Sequence, residues 1–351
     1  MTVLISLQKF NFHYIYVNNI GMLKLLVLPA LLVVGLISCD KSTEITQPNV
    51  LVILADDLGY GELSSYGATE LKTPSFDRLA ESGLRFSQGY CTSSTCTPSR
   101  YGLLTGQYPW KNERAHILPG NAPLIIETGI TTLPSIMKEA GYATAVIGKW
   151  HLGLGNGNVD WNKRVSPGPA EVGFDYSFIL AATQDRTPTV LLRNQEVVGL
   201  DPNDPLEVSY GKNFEGEPTG KKNPELLKIH PSHGHNQSIH NGISRIGFQR
   251  GGNSALWVDE ELADEFTADA IQWMTENQDH PFFLYFALHQ PHVPRTPNPR
   301  FVGKSGMGPR GDVILEADWS VGELLKTLDD LGIAEKTMVV FSSDNGPVLD
   351  D

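Results

Sequence analysis

The sequence predicts an α/β fold: a mostly parallel central sheet with helices on both of its faces. Three observations carry that prediction. Four continuous apolar runs rich in β-branched and aromatic residues occur along the chain, helical patterns alternate with them, and each run ends in a cluster of acidic, amide, basic or imidazole side chains. Strands alternating with helices imply parallel neighbours, because a parallel connection needs a crossover element that covers the sheet. Ligand sites in such sheets lie beyond the carboxyl ends of the strands, which is where the polar clusters fall.

At 351 residues, with 40% hydrophobic and 19% charged side chains, the chain can bury one sizeable core. Its composition excludes disorder, collagen, coiled coil and a disulfide-rich miniprotein. The formal charge of −13 opposes a nucleic-acid partner, which favours a basic face. An anionic substrate therefore needs a locally positive site.

The amino terminus reads as a sorting signal. Leu23 to Ser38 carries one charge, Lys24, ahead of a Leu, Val, Ala and Ile run too short and too weakly flanked for a membrane span. The run ends in Leu36-Ile37-Ser38-Cys39, which resembles the bacterial lipobox, and Asp40 to Gln47 follows as a polar tether. Residues 1–38 are expected to be a signal peptide, with Met22 as the true start, and residues 39–48 a lipidated Cys39 and its tether. An uncleaved anchor is the alternative. Both place the body of the protein outside the cytoplasm, and the lipidated form belongs to the bacterial cell envelope, in the periplasm or at the outer membrane. Contact with the membrane then comes only through the lipid on Cys39.

The first strand is Asn49 to Ala55, an unbroken apolar run of the kind buried on both faces of a parallel sheet, and it delivers Asp56 and Asp57. Ala143 to Ile147 opens after Gly141-Tyr142 and closes on Gly148-Lys149-Trp150-His151. Pro281 to Leu288 ends in His289-Gln290-Pro291-His292, and Thr337 to Phe341 leads through Ser342 and Ser343 to Asp344-Asn345. Helical patterns cover Ser75 to Ser82, Thr132 to Ala140, Glu261 to Asn277 and Ile314 to Leu331. One Asp pair after a strand is ordinarily a turn or a helix cap; four coincident polar clusters point to a site. Residues 159–253 are rich in Pro, Gly, Asn and His and read as a long insertion near the site mouth. His230, His233, His235 and His240 within it form either a metal tract or a solvated loop, and the lack of Cys partners and regular spacing favours the loop.

Cys96-Thr97-Pro98-Ser99-Arg100 places a cysteine at a helix start, with Thr97 suited to the N-cap and Pro98 to the first helical position. The helix dipole and Arg100 favour an anion there, so the residues alone suggest an activated thiolate or an anion-site cysteine. Cys91 reads as a buried thiol.

Cys96 to Gly106 resembles the signature of type I sulfatases, C-x-P-S-R followed by x-x-L-x-T-G, with every fixed position matched. Gly141 to His151 likewise resembles the second motif of that family. The resemblance extends from about Asn49 to the last residue and implies the alkaline-phosphatase-like fold. It also implies that a dedicated maturation enzyme oxidises Cys96 to formylglycine, whose hydrate attacks sulfur with one hydroxyl and expels sulfate through the other. The implied activity is a sulfuric ester hydrolase acting on sulfated carbohydrates. A phosphomonoester or phosphonate hydrolase of the same superfamily is the alternative.

Charge developing on a sulfuryl group calls for a hard cation and fixed positive groups. Asp56, Asp57, Asp344 and Asn345, with the residue-96 hydrate, offer oxygen ligands, which suit Ca²⁺ and, less well, Mg²⁺. The resemblance likewise implies calcium there. It implies that Arg100 holds the hydrate, Lys149 bridges it to sulfate, His151 takes the proton that triggers elimination, and His292 contacts sulfate and protonates the leaving oxygen. His289 is either a subsite wall or structural. The family continues beyond the position of Asp351 with another sheet segment, a further Lys and a small carboxy-terminal domain. Residues 49–351 are therefore expected to be a catalytic domain truncated at its carboxyl end, with an uncovered sheet edge, and an inactive remnant is the competing reading.

Overall fold

The computed structural model describes residues 3–6, 47–232 and 234–349. The sorting segment and Cys39 thus lie outside the described residues, apart from Val3–Ser6. No helix among the described residues is long and apolar enough to cross a membrane.

In chain order the principal elements are β1 (Val3–Ser6), β2 (Asn49–Ala55), α1 (Pro74–Ser82), β3 (Leu84–Arg85), α2 (Cys96–Thr105), α3 (Leu133–Glu139) and β4 (Ala143–Lys149). They continue with α4 (Pro169–Val172), β5 (Tyr176–Leu180), β6 (Leu191–Arg193), β7 (Glu196–Val197), β8 (Glu207–Ser209), β9 (Ile239–His240), β10 (Ile243–Ser244) and β11 (Phe248–Arg250). The last are α5 (Leu262–Glu276), β12 (Phe282–Ala287), α6 (Gly308–Asp330) and β13 (Thr337–Ser343). Nine strands form one sheet in the order β3-β1-β13-β2-β12-β4-β5-β6-β7. The central run from β13 to β5 is parallel throughout, and the flanking strands are antiparallel. β1 lies antiparallel along the β13 edge of the parallel run.

Every residue of β2 is buried because the two faces meet different helical layers. Leu51, Ile53 and Ala55 join a core with Phe76 of α1, Leu262, Phe266 and Trp273 of α5, and Val321 and Leu324 of α6. Val50, Val52 and Leu54 join a second core with Tyr101 and Leu104 of α2, Trp150 and Tyr285. Period-two side chains thus serve two apolar layers, which is why the run carries no polar alternation. Each large apolar side chain buried this way contributes roughly 1.5–3 kcal/mol.

Three elements differ from the sequence expectation. β5 lies inside the span read as an insertion, yet it pairs in parallel with β4 and is a core strand. Its five residues begin with a half-buried tyrosine, too short a signal for the periodicity to reveal. α6 starts at Gly308 rather than Ile314, with Pro309 in its first turn where the missing amide is harmless. α2 starts at Cys96 with Thr95 as N-cap, so Thr97 is already helical; its Oγ1 instead donates to the carbonyl of His151 at 2.8 Å.

Gly148 shows how tightly β4 is built against β12. Its φ is +109°, and a Cβ there would stand 2.0 Å from the carbonyl oxygen of Ala287. Gly148→Ala is therefore expected to destabilise the protein by about 3 kcal/mol or more, combining backbone strain and overpacking, read as a lower urea midpoint.

Candidate functional site

The adjacent strands β13, β2, β12 and β4 end side by side, and their following residues are stitched together. Asp344 N donates to Ala55 O and Asp56 N to Gln290 O, both at 3.0 Å. Asp57 N donates to Asp344 Oδ1 at 3.2 Å, and Leu58 N to Ser343 Oγ at 3.1 Å. Asp57 and His151 hold left-handed backbone conformations, with φ of 64° and 53°. Such strain in non-glycine residues clusters at functional sites.

Two fully buried cations occupy the centre. Lys149 Nζ lies 2.5 Å from Asp56 Oδ2. Arg100, from the second turn of α2, donates to Asp344 Oδ2 through Nε at 3.0 Å and Nη2 at 2.8 Å, and to Lys149 O through Nη1 at 3.0 Å. Burial would discharge both cations, but Asp56 outweighs it for Lys149, and Tyr285, Asp344 and Asp56 outweigh it for Arg100, so both are held charged. Burial likewise raises Asp344, but Arg100 and Lys149 prevail and hold it below the usual carboxylate range. Asp56 goes the other way: burial, opposed by Lys149 and reinforced by Asp344, pushes it up to about 7.

Cys96 faces this cluster. One ligand atom each from Asp56, Cys96 and Asp344 lie within 4.8 Å of one another. Burial pushes the thiol well above its ordinary pKa, opposed by Lys149 and reinforced by Asp56, Asp344 and Asp57. This corrects the activated-thiolate reading: position 96 carries a protonated thiol. Cys91 and Cys96 are both free.

Three acidic side chains, Asp56, Asp57 and Asp344, meet the two cations Lys149 and Arg100 here. Two buried oxygens in the cluster, Asp56 Oδ1 and Asn345 Oδ1, accept no hydrogen bond. Asn345 Nδ2 donates to Asp57 Oδ1 at 2.6 Å, which turns its own oxygen free. Clustered acidic oxygens with unpaired acceptors among them fit a divalent cation held by Asp56, Asp57, Asp344 and Asn345.

The two imidazoles sit differently. His151 is buried with Nε2 3.0 Å from Leu118 O, which assigns the proton to Nε2 and leaves Nδ1 as an unpartnered acceptor. Burial, helped by Lys149 and Arg186, holds its pKa well below the ordinary value, so the ring is neutral. His292 donates from Nδ1 to Val293 O at 2.6 Å and turns Nε2 to within 3.8 Å of Asp57 Oδ2. All the site residues expected from the sequence thus occupy one edge of the sheet. His289 does not line it: it is buried edge-on against Phe266 of α5, and burial pushes it down to about 3.

Sequence reasoning missed the buried Asp185 and the half-buried Arg186, 2.6 Å apart. Burial raises Asp185, but Arg186 and His292 overcome it and hold it ionised below the ordinary range. The pair follows β5 in Thr183-Gln184-Asp185-Arg186, a fifth polar cluster after a parallel strand, hidden because the strand itself was not recognised. His235 stands 3.3 Å from Asp185, and both line a cavity of about 240 Å³ beside Val293.

The histidine tract does not converge. His233 lies outside the described residues, His230 and His235 line that cavity, and His240 places Nδ1 2.8 Å from Thr189 Oγ1. Burial, with Arg245 adding and Asp259 opposing, pushes His240 down to about 3. The folded protein therefore keeps it neutral while the unfolded chain takes up a proton below pH ~6.5, so acid costs stability between those values. In His240→Gln that dependence is absent. The stability advantage of wild type over the variant is expected to shrink by up to ~1.4 kcal/mol per pH unit as pH falls from about 6 to about 4, measured by urea unfolding.

Fold and site together define an α/β protein built to hold an oxyanion against buried cations at the carboxyl edge of a parallel sheet. Residues 48–351 match the family described as Sulfatase, and the chain belongs to the sulfatase family of the alkaline phosphatase superfamily. It is 53% identical over 313 residues to an N-acetylgalactosamine-6-O-sulfatase of Bacteroides thetaiotaomicron, covering 89% of this chain and 61% of that protein. It is 34% identical to human arylsulfatase A, covering 86% of this chain and 52% of the relative. A solved Bacteroides thetaiotaomicron sulfatase, from work on the metabolism of multiple glycosaminoglycans, superposes with a TM-score of 0.86 at 54% identity, over 87% of this chain and 64% of its own. The chain spans about three fifths of the first of these relatives and half of the second. Family membership implies a bound metal and a formylglycine in general terms.

Proposed function

We propose that this chain is the catalytic part of a sulfuric ester hydrolase that releases sulfate from sulfated carbohydrates, with 6-O-sulfated N-acetylgalactosamine as the leading substrate class. The observation that carries the reading is the enclosure of Cys96, at the start of α2, by Asp56 and Asp344 and by the two buried cations Arg100 and Lys149. The 53% identical relative supports the sugar and the 6-position. Formylglycine, made from Cys96 by a formylglycine-generating enzyme, supplies a hydrated aldehyde as nucleophile. Ca²⁺, held by Asp56, Asp57, Asp344 and Asn345, supplies charge neutralisation; the all-oxygen donor set supports it over metals that recruit imidazole or thiolate.

The chain's own residues do the rest. Arg100, locked by Asp344 and the Lys149 carbonyl, orients residue 96. Lys149 stays charged through Asp56 and offsets negative charge on the sulfuryl oxygens. His151, neutral with Nδ1 free, accepts the proton whose removal triggers sulfate elimination. His292 keeps its Nδ1 proton on Val293 O, so Nε2 is the atom that contacts sulfate, and only the imidazolium form, with a second proton on Nε2, gives one to the leaving oxygen. The signal segment and Cys39 support export and lipid anchoring in the cell envelope, where a sulfated polymer is met from outside.

Parallel assays on 6-O-sulfated N-acetylgalactosamine and its 6-phosphate analogue test the reading. Protein produced with the maturation enzyme is expected to release sulfate and leave the phosphate ester intact. Preferential phosphate release would replace this reading with the phosphomonoesterase one.

A further inference from the structure

Asp57 holds a backbone conformation that L-residues rarely adopt, and something must hold it there. The side of its peptide facing β13 is fixed by Asp344 and Ser343, as described above. The other side meets an arginine outside every element of the site. Arg310, in the first turn of α6, donates from Nη2 to the carbonyl of Asp57 at 2.9 Å. Its guanidinium is itself clamped: Nε lies 2.6 Å from Glu62 Oε1 and Nη2 2.8 Å from Glu62 Oε2, a two-point carboxylate fork. Glu62 Oε2 also accepts from Gly59 N at 2.6 Å, closing the chain from Asp57 to Glu62 into a loop around the guanidinium. The remaining arm, Nη1, donates to Val348 O at 2.9 Å, on the segment that follows Asn345. Arg295, from the loop that carries His292, donates to that same Val348 carbonyl at 2.8 Å.

The geometry points to Arg310 and Glu62 as a positioning pair for the divalent cation, setting the carboxylate of Asp57 through its main chain. It rests on the proposal that Asp57 is a metal ligand. Asp57 has φ of +64°, so its carboxylate direction depends on a backbone state held by the hydrogen bonds on its flanking peptides. Ser343 holds the N–H end of the peptide after Asp57 and Arg310 holds its carbonyl end, and the Arg310 fork requires a planar guanidinium that a lysine does not supply. Neither side chain touches the reacting centre.

The test is thermal unfolding of the maturation-enzyme-treated chain, titrated with CaCl₂ from a chelator-stripped start. Wild type is expected to melt higher with Ca²⁺, and Asp57→Asn to lose most of that rise. Arg310→Met is expected to shift the Ca²⁺ concentration giving half the rise upward by ~10-fold to 100-fold, the usual effect of removing a partner that orients a metal ligand. Its metal-free melting stays cooperative, and saturating Ca²⁺ restores the full rise. Arg310→Lys and Glu62→Gln are expected to shift the midpoint in the same direction by less, and they carry the test if Arg310→Met does not fold. Folded Arg310 and Glu62 variants that titrate at the wild-type Ca²⁺ concentration would overturn the inference while leaving the metal reading intact. No Ca²⁺ response in wild type overturns both.

Discussion

Cys96→Ala is expected to abolish sulfate-ester turnover, by roughly 10⁴-fold or more, while leaving the fold in place. The size follows from the chemistry: alanine removes the atom that becomes the nucleophile, and every other group at the site only orients or stabilises. The fold survives because the Cys96 side chain makes no hydrogen bond that holds α2; that helix is anchored by Thr97 on the His151 carbonyl and by Arg100 on Asp344. Cys96→Ser separates two kinds of loss. A serine can attack once but has no second hydroxyl with which to expel sulfate, so it is expected to accumulate a sulfated enzyme, visible by intact mass, with turnover still absent. The wild-type peptide spanning Cys96 is expected to be lighter than its thiol form by the exchange of sulfur for oxygen and the loss of two hydrogens. A wild-type protein that hydrolyses sulfate esters while retaining the Cys96 thiol would refute the assignment. The buried, protonated thiol makes that outcome chemically poor, since a thiol held well above its ordinary pKa is a weak nucleophile.

Most of the site was legible because parallel sheets export their chemistry to one edge. Asp56, Lys149, His292 and Asp344 each follow an apolar run, and strand adjacency does the assembling: β13, β2, β12 and β4 are consecutive in the sheet. Asp185 and Arg186 obey the same rule and were missed because Tyr176–Leu180 is too short to separate from its irregular surroundings. His289 and His292 look equivalent in sequence, yet one is buried against Phe266 and the other faces Asp57, a difference set by tertiary packing. The pKa reversal at Cys96 was illegible for a related reason. A helix start and an arginine one turn in argue for a thiolate, but burial of Cys96, reinforced by carboxylates arriving after β2 and β13, overrides them. The Arg310 and Glu62 pair was out of reach because it acts on a main-chain carbonyl, which leaves no mark in side-chain spacing.

Lys149→Met is expected to lower kcat/KM by ~10²-fold to 10³-fold and to destabilise the metal-free protein by about 3–5 kcal/mol. The activity loss reflects a charge that acts on developing negative charge in a water-excluded site. The stability loss has another origin: methionine fills the space, but Asp56 loses the cation that chiefly offsets its burial, and its Oδ1 has no hydrogen-bond partner among the described residues. The double variant Lys149→Met with Asp56→Asn divides the two effects. Removing both charges is expected to recover most of the stability, since a neutral pair of similar volume avoids the desolvation that the broken ion pair suffers. Activity stays low, because neither the cation nor the metal ligand returns. Urea unfolding of the four proteins in the cycle measures the coupling directly. A coupling near zero would mean that the 2.5 Å contact between Lys149 and Asp56 does not hold the pair together, and with it would go the physical basis for a charged lysine at the centre of the site.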